Sequence, residues 1–184
     1  MTFSAFPLAG VFSTADCERL IALARRAGLS EGGLVGGVAN AAIRRAGLAW
    51  VDELAGADWV TERLVRVVAE ANREGFGFDI TDFAESAQVA RYGADSAGHF
   101  HWHSDIGNGP AAGRRKLTVV VQLSDPSGYA GGILETWGNA EPVAAPRALG
   151  TAVVFPAFLL HRVTPVTAGE RWSLTLWADG PAFR

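Results

Sequence analysis

The chain has 184 residues, 49% hydrophobic and 19% charged, a composition that builds one ordinary buried core and excludes a disordered or fibrous chain. Sixteen basic and nineteen acidic side chains give a net charge of −3 and a pI near 5.8, so neither nucleic acid nor an anionic membrane surface is an expected partner. Cys17, the one cysteine, supports neither an internal disulfide nor a cysteine metal cluster, and a cytoplasmic protein is expected.

The first ten residues lack a basic start and are broken by Pro7, so no signal peptide is expected. Ser13-Thr-Ala-Asp16 has the form of a capping box, and Cys17, Leu20, Ile21 and Ala24 follow at helical spacing until Gly28. A glycine-rich stretch runs from Gly28 to Gly37. A second helix is expected from about residue 58 to 74, with Val60, Leu64, Val67, Val68 and Ala71 on one face and Gly75 after it.

Beyond residue 80 the pattern changes to short β-like runs between Gly, Pro, Asp and Asn. They cover Ala87–Tyr92, Leu117–Leu123, Ile133–Trp137, Thr151–Phe155, Arg162–Val166 and Trp172–Trp177. The most apolar stretch, Thr151 to Leu160, is interrupted by Pro156 and falls short of the ~20 residues that span a bilayer. Many short strands behind a helical front predict a mainly β sandwich or jelly roll braced by the helices. We expect one domain over 1–184, with helical support to about residue 75 and a β core over about 80–180.

Three of the four histidines fall in His99-Phe-His101-Trp-His103-Ser-Asp105. On an extended strand, alternation lets His99, His101, His103 and Asp105 share one face, although a metal ion can recruit only neighbours in such a row. Two centres fit these ligands. His103, Asp105 and the remote His161 would make a 2-His-1-carboxylate facial triad, which leaves non-haem Fe(II) open positions for a cosubstrate and O2. His101, His103 and Asp105 would instead begin an HxHxD zinc hydrolase site, but Ile106 stands where such a site continues, and only His161 remains as a further ligand. Arg171 lies ten residues after His161, and a strand, a turn at Ala168-Gly169 and a return strand would bring the two together. A guanidinium there suits the far carboxylate of a 2-oxo diacid. The glycine- and proline-containing loop 106–115 follows Asp105 directly and has the composition of a lid.

His103-x-Asp105, His161 fifty-six residues later and Arg171 ten beyond that resemble the Fe(II)/2-oxoglutarate-dependent oxygenase superfamily. The stretches Ile43-Arg-Arg, Gln88-Val-Ala-Arg-Tyr92, Phe100-x-Trp-His103-Ser-Asp105, Arg114-Arg-Lys-Leu-Thr-Val-Val-Val-Gln-Leu-Ser-Asp-Pro126, Tyr129-x-Gly-Gly132 and Leu160-His-Arg-Val-Thr-Pro-Val-Thr167, with Gly169-x-Arg171 and Trp177, narrow the resemblance to its prolyl 4-hydroxylase-like branch, nearest the bacterial PKHD-type hydroxylases. It covers roughly residues 40 to 180, with a departure at Ile133, where that branch often has Glu.

The resemblance implies a double-stranded β-helix with helices packed on its larger sheet. It implies His103, Asp105 and His161 as iron ligands and Arg171 as the partner of the distal 2-oxoglutarate carboxylate. By the same resemblance Tyr92 and Gln122 line the cosubstrate pocket, and Thr175 and Trp177, with the alternation of same-facing residues, border it. His99 and His101 are left to the entrance, His101 as a substrate contact. The activity implied is hydroxylation of an unactivated C–H bond with Fe(II), 2-oxoglutarate and O2, and with ascorbate as reductant. The substrate implied is a prolyl residue in a peptide or protein, a free amino acid or another small molecule. A cupin-like binding protein without catalysis is the alternative on the same fold.

Overall fold

The computed structural model describes residues 4–31, 40–138 and 140–183; most of the glycine-rich stretch lies outside them. In chain order the elements are β1 (Phe6–Leu8), α1 (Thr14–Ala27), β2 (Ser30–Glu31), β3 (Arg44–Arg45), β4 (Gly47–Trp50), α2 (Trp59–Ala71), β5 (Gln88–Gly93) and β6 (His99–His103). Then follow β7 (Arg115–Gln122), β8 (Tyr129–Gly131), β9 (Leu134–Trp137), β10 (Val143–Ala144), β11 (Ala152–Pro156), β12 (Leu160–Val163) and β13 (Val166–Asp179). The strands form two antiparallel sheets. The larger runs β1-β11-β7-β13-β5-β4-β2, with β8 added against β13, and the smaller runs β10-β9-β12-β6-β3. Facing each other, they make the expected jelly roll.

Alternation along the larger sheet sorts its side chains into two compartments. Val89, Leu117, Val119, Val121, Ala152, Val154, Trp172, Leu174, Leu176 and Ala178 point to the helices and share one core with them. The intervening Ala90, Tyr92, Val120, Val153 and Phe155 point inward and meet Leu134 and Val163 of the smaller sheet. Because both faces of β7 are covered, all eight of its residues are buried.

Both helices form where their periodicity places them. Ser13 accepts the Asp16 N–H while the Asp16 carboxylate takes the Ser13 N–H, and Cys17, Leu20, Leu23 and Ala24 are buried. In α2 the five residues of the apolar face are all buried. The helix does not stop at Gly75, however. It passes into one wide π turn over Asn72–Phe76, closed by Gly77 at φ 66°, because the Asn72 side chain bonds the N–H and C=O of Phe78. Among the described residues no helix is long and apolar enough to cross a membrane.

Two sequence expectations change in the structure, and strands also form where none is expected. Phe6–Leu8 forms a strand despite Pro7, which is tolerated because β1 is a sheet edge. The run Arg162–Val166 is split at Thr164-Pro165, where the chain leaves the smaller sheet and enters the larger. Ala168-Gly169 is therefore no hairpin turn. These residues lie within the 14-residue β13, which pairs with β5, β7 and β8 and never with β12.

Leu64 is fully buried at the centre of the helix-sheet core. Leu64→Ala is expected to lower unfolding stability by about 2–5 kcal/mol, read by urea denaturation, with no change at the opposite face of the sheet.

Candidate metal centre and buried arginine

Asp105 follows β6, His103 ends it, and His161 lies directly across the strand pair from His103 on β12. One donor atom from each of the three lies within 4.8 Å of the others, the one such cluster among the described residues. Both rings are held by the backbone. His103 Nδ1 donates to the His101 carbonyl at 2.7 Å and His161 Nδ1 to that of Leu159 at 2.9 Å. A carbonyl only accepts, so each Nδ1 carries the proton and each Nε2 presents a lone pair. These lone pairs face Asp105, at 3.5 Å from Oδ1 for His103 and 3.5 Å from Oδ2 for His161. Lone pairs directed at a carboxylate repel it unless a cation stands between them, so the donor set suits a divalent ion of the Fe(II) type.

Burial pushes the Asp105 carboxyl up, but the attraction of His161 and His103 in their cationic forms and the Thr118 hydrogen bond outweigh it and hold the group well below the usual carboxylate range. Burial also pushes His161 down, to about 4, against the pull of Asp105, so its imidazole is neutral and ligand-competent at neutral pH. The Thr118 hydroxyl donates to Asp105 Oδ2 at 2.7 Å. Arg115, gripped by both oxygens of Glu85, donates to the Asp105 carbonyl at 3.0 Å and lies 4.1 Å over the Trp177 ring.

The histidine row does not share one face. His161 pairs with His103 and Val163 with Phe100, so two steps on β12 match three on β6, and the resulting bulge breaks the alternation. Phe100 is thereby brought to the cavity side, where its ring stacks on His103 at 3.5 Å and 15°. His101 is exposed and outside the cavity lining, its Nδ1 taken by the Trp102 N–H. His99 bonds backbone carbonyls of Ala97 and Ala42. An HxHxD centre thus lacks its first histidine.

Arg171, on β13, is 0% exposed and lines the same cavity. Its Nη2 donates to Gln122 Oε1 at 3.0 Å, while Nε and Nη1 have no hydrogen-bond partner among the described residues. Tyr92, its direct cross-strand neighbour, places its ring 5.4 Å from the guanidinium carbon. Burial pulls the guanidinium pKa down, against the pull of Tyr92 and Tyr129. No carboxylate pairs with Arg171 among the described residues, an arrangement that suits an anionic ligand. The chain crosses close above it at Gly131-Gly132, where a Cβ on Gly132 would come within 3.0 Å of Arg171 Cδ.

Tyr92, Thr175 and Trp177 all line the cavity. Gln122 has a different place. Its amide N–H donates away from the cavity to the Pro146 carbonyl at 3.1 Å, and because arginine has no acceptor its Oε1 orients Arg171 from behind. Residues 106–115 do not line the cavity and are bonded internally, Gly107 to Ala112 and Gly113 to Gly109. Thr118 and Arg44 also line the cavity. Counting back in twos from Gln122 reaches Thr118; nothing in the spacing singles out Arg44.

A family model described as the 2OG-Fe(II) oxygenase superfamily matches residues 87–179. Among curated proteins, a PKHD-type hydroxylase of Hyphomonas neptunium is 43% identical over 74 residues, 39% of this chain and 32% of that protein. One of Paracoccus denitrificans is 45% identical over 76 residues, 38% of this chain and 32% of that protein. The match spans about a third of the length of these relatives.

Among solved structures, a Trichoplax adhaerens prolyl hydroxylase in complex with a hypoxia inducible factor peptide fragment superposes with TM-score 0.77 at 19% identity, covering 95% of this chain and 83% of that one. A Pseudomonas putida prolyl-4-hydroxylase gives 0.73 at 24% identity, covering 97% and 94%. The carbocyclase SnoK from nogalamycin biosynthesis gives 0.75 at 14% identity, covering 98% and 81%. At these identities the likeness is one of fold.

Thr118→Val removes the hydrogen bond to Asp105 at nearly constant volume. It is expected to weaken Mn(II) binding about 10- to 100-fold with an unaltered circular dichroism spectrum, as measured by metal titration.

Proposed function

This chain belongs to the 2OG-Fe(II) oxygenase superfamily, and from that premise we propose that it is an Fe(II)- and 2-oxoglutarate-dependent hydroxylase acting on an unactivated C–H bond. The observation that carries this proposal is the pairing, in one cavity, of a convergent His-Asp-His donor set with a buried arginine whose Nε and Nη1 have no partner among the described residues.

His103, Asp105 and His161 would hold the metal and Arg171 the distal carboxylate of 2-oxoglutarate. Fe(II), with this cosubstrate and O2, supplies the oxidising power that inserts one oxygen atom into the substrate and releases succinate and CO2. The chain's own work is to fix geometry and exclude water. Backbone carbonyls set both imidazole tautomers, Thr118 holds one carboxylate oxygen, and Arg115 holds the main chain behind it. Gln122 fixes the plane of Arg171, and Tyr92 packs beside it. Thr175 and Trp177, two residues apart on the inner face of β13, border the space left for substrate. That substrate would be a prolyl residue of a peptide or protein, in line with the prolyl hydroxylases of the same fold, or a free amino acid or other small molecule.

Aerobic incubation with Fe(II), 2-oxoglutarate and ascorbate is expected to release succinate slowly even without substrate, and Zn(II) to suppress it, because zinc has no accessible redox change. His103→Ala and His161→Ala should each lose bound iron and turnover, whereas His101→Ala keeps its iron. Metal analysis of the purified variants decides between the two registers: iron lost from His101→Ala and kept in His103→Ala would contradict the assignment.

A further inference from the structure

We propose that Arg147 is a positioning residue for the cosubstrate: it straps the chain crossing at Gly131-Gly132 down on Arg171 and so fixes the guanidinium for the distal carboxylate of 2-oxoglutarate. This rests on Arg171 holding that carboxylate, as set out above.

Residues 145–147 belong to no strand, yet they reach three strands around Arg171. The Ala145 N–H donates to the Leu134 carbonyl on β9 at 2.8 Å. The Pro146 carbonyl accepts from the Gln122 amide at the end of β7 at 3.1 Å, the same side chain whose oxygen accepts from Arg171 Nη2. Arg147 reaches β8. Its Nη2 donates to the carbonyls of Tyr129 and Gly131 at 3.3 and 3.5 Å, its Nε donates to the Tyr129 hydroxyl at 3.5 Å, and its guanidinium carbon stands 4.5 Å from the centre of the Tyr129 ring.

The crossing in turn bears on Arg171. A Cβ built on Gly132 would come within 3.0 Å of Arg171 Cδ and 3.3 Å of Tyr129 Cε2. Arg147, the buried Tyr129 ring, Gly132 and Arg171 therefore form one unbroken run of contacts, closed on the other side by Pro146 and Gln122. The Arg171 guanidinium has Gln122 as its one hydrogen-bond partner among the described residues, so packing on its stem decides where Nε and Nη1 point.

Arg147 does not line the cavity and pairs with no carboxylate among the described residues. Two routes to the cosubstrate remain: through Arg171, as proposed, or through charge across space. The charge by itself opposes Arg171, since after burial it pulls that guanidinium's pKa down.

The full chain with Mn(II) is titrated under nitrogen, by calorimetry, with 2-oxoglutarate and with 2-oxopentanoate, which lacks the distal carboxylate. Arg147→Gln is expected to bind 2-oxoglutarate about 10-fold more weakly than the wild type, the worth of a lost hydrogen-bonded contact, and 2-oxopentanoate equally well. Introduced into Arg171→Ala, the same substitution should cost nothing further, because the group it positions is gone.

Three results would overturn the proposal: 2-oxoglutarate affinity unchanged in Arg147→Gln, both ligands weakened alike, which marks a merely structural role, or a full further loss in Arg171→Ala, which marks action by charge alone. Arg147→Lys keeps the charge and gives up the planar contact with Tyr129. It carries the same comparison where Arg147→Gln does not fold, with a smaller loss confined to 2-oxoglutarate expected and wild-type affinity contradicting the proposal. A wild type that binds both ligands equally would overturn the Arg171 assignment and this one together, whereas a preference for 2-oxoglutarate that survives in full in Arg147→Gln overturns this one alone.

Discussion

A guanidinium at 0% exposure, with no carboxylate paired to it among the described residues, is costly to bury, and the site is arranged around it. Arg171 stands on the inward face of the 14-residue β13, where no ion pair among the described residues offsets the loss of hydration. Gln122 supplies one hydrogen bond and Tyr92 the face of a ring, leaving Nε and Nη1 without a partner among the described residues. The Gly131-Gly132 crossing packs against the same residue: a Cβ on Gly132 would come within 2.9 Å of Val166 and 3.0 Å of Arg171 Cδ. A charge placed at this cost and left short of partners is understandable as one half of a pair completed by a ligand.

The larger sheet makes such a placement possible. Leu117, Val119 and Val121 on β7 and Trp172, Leu174 and Leu176 on β13 anchor one face to the helices, and the residues between them, Thr118 and Gln122, then Arg171, Thr175 and Trp177, are held where the opposite face needs them. Hydrophobic burial on one side thus fixes polar geometry on the other. The smaller sheet contributes through one irregularity. The bulge in β6 brings Phe100 to the cavity beside His103 and leaves His101 exposed, so the histidine row yields one ligand rather than several.

Much of this is legible in the sequence, for local reasons. The Ser13–Asp16 capping box and the apolar spacing of α2 are short-range signals, and the structure follows both. His103, Asp105, His161 and Arg171 can be picked out together because the resemblance orders them, and the structure gathers them in one cavity. The route is not legible. Alternation puts His101 beside His103, and only the pairing of β6 with β12 reveals the bulge. A hairpin would be the shortest way to bring Arg171 to His161, yet Thr164-Pro165 sends the chain to the other sheet and the two line one cavity from different sheets. Gln122 has the right position for a pocket residue, but its acceptor is committed to Arg171 and its donor to Pro146, partners set by tertiary packing.

The most direct test crosses the arginine with the carboxylate it is proposed to hold. Calorimetric titration of the Mn(II) protein with 2-oxoglutarate and with 2-oxopentanoate, which lacks the distal carboxylate, is made for the wild type and for Arg171→Ala. We predict that removing the carboxylate from the ligand or the guanidinium from the protein each costs about 3–5 kcal/mol, and that removing both costs little more than removing one. Additive losses, or a wild type indifferent to the distal carboxylate, would contradict the account.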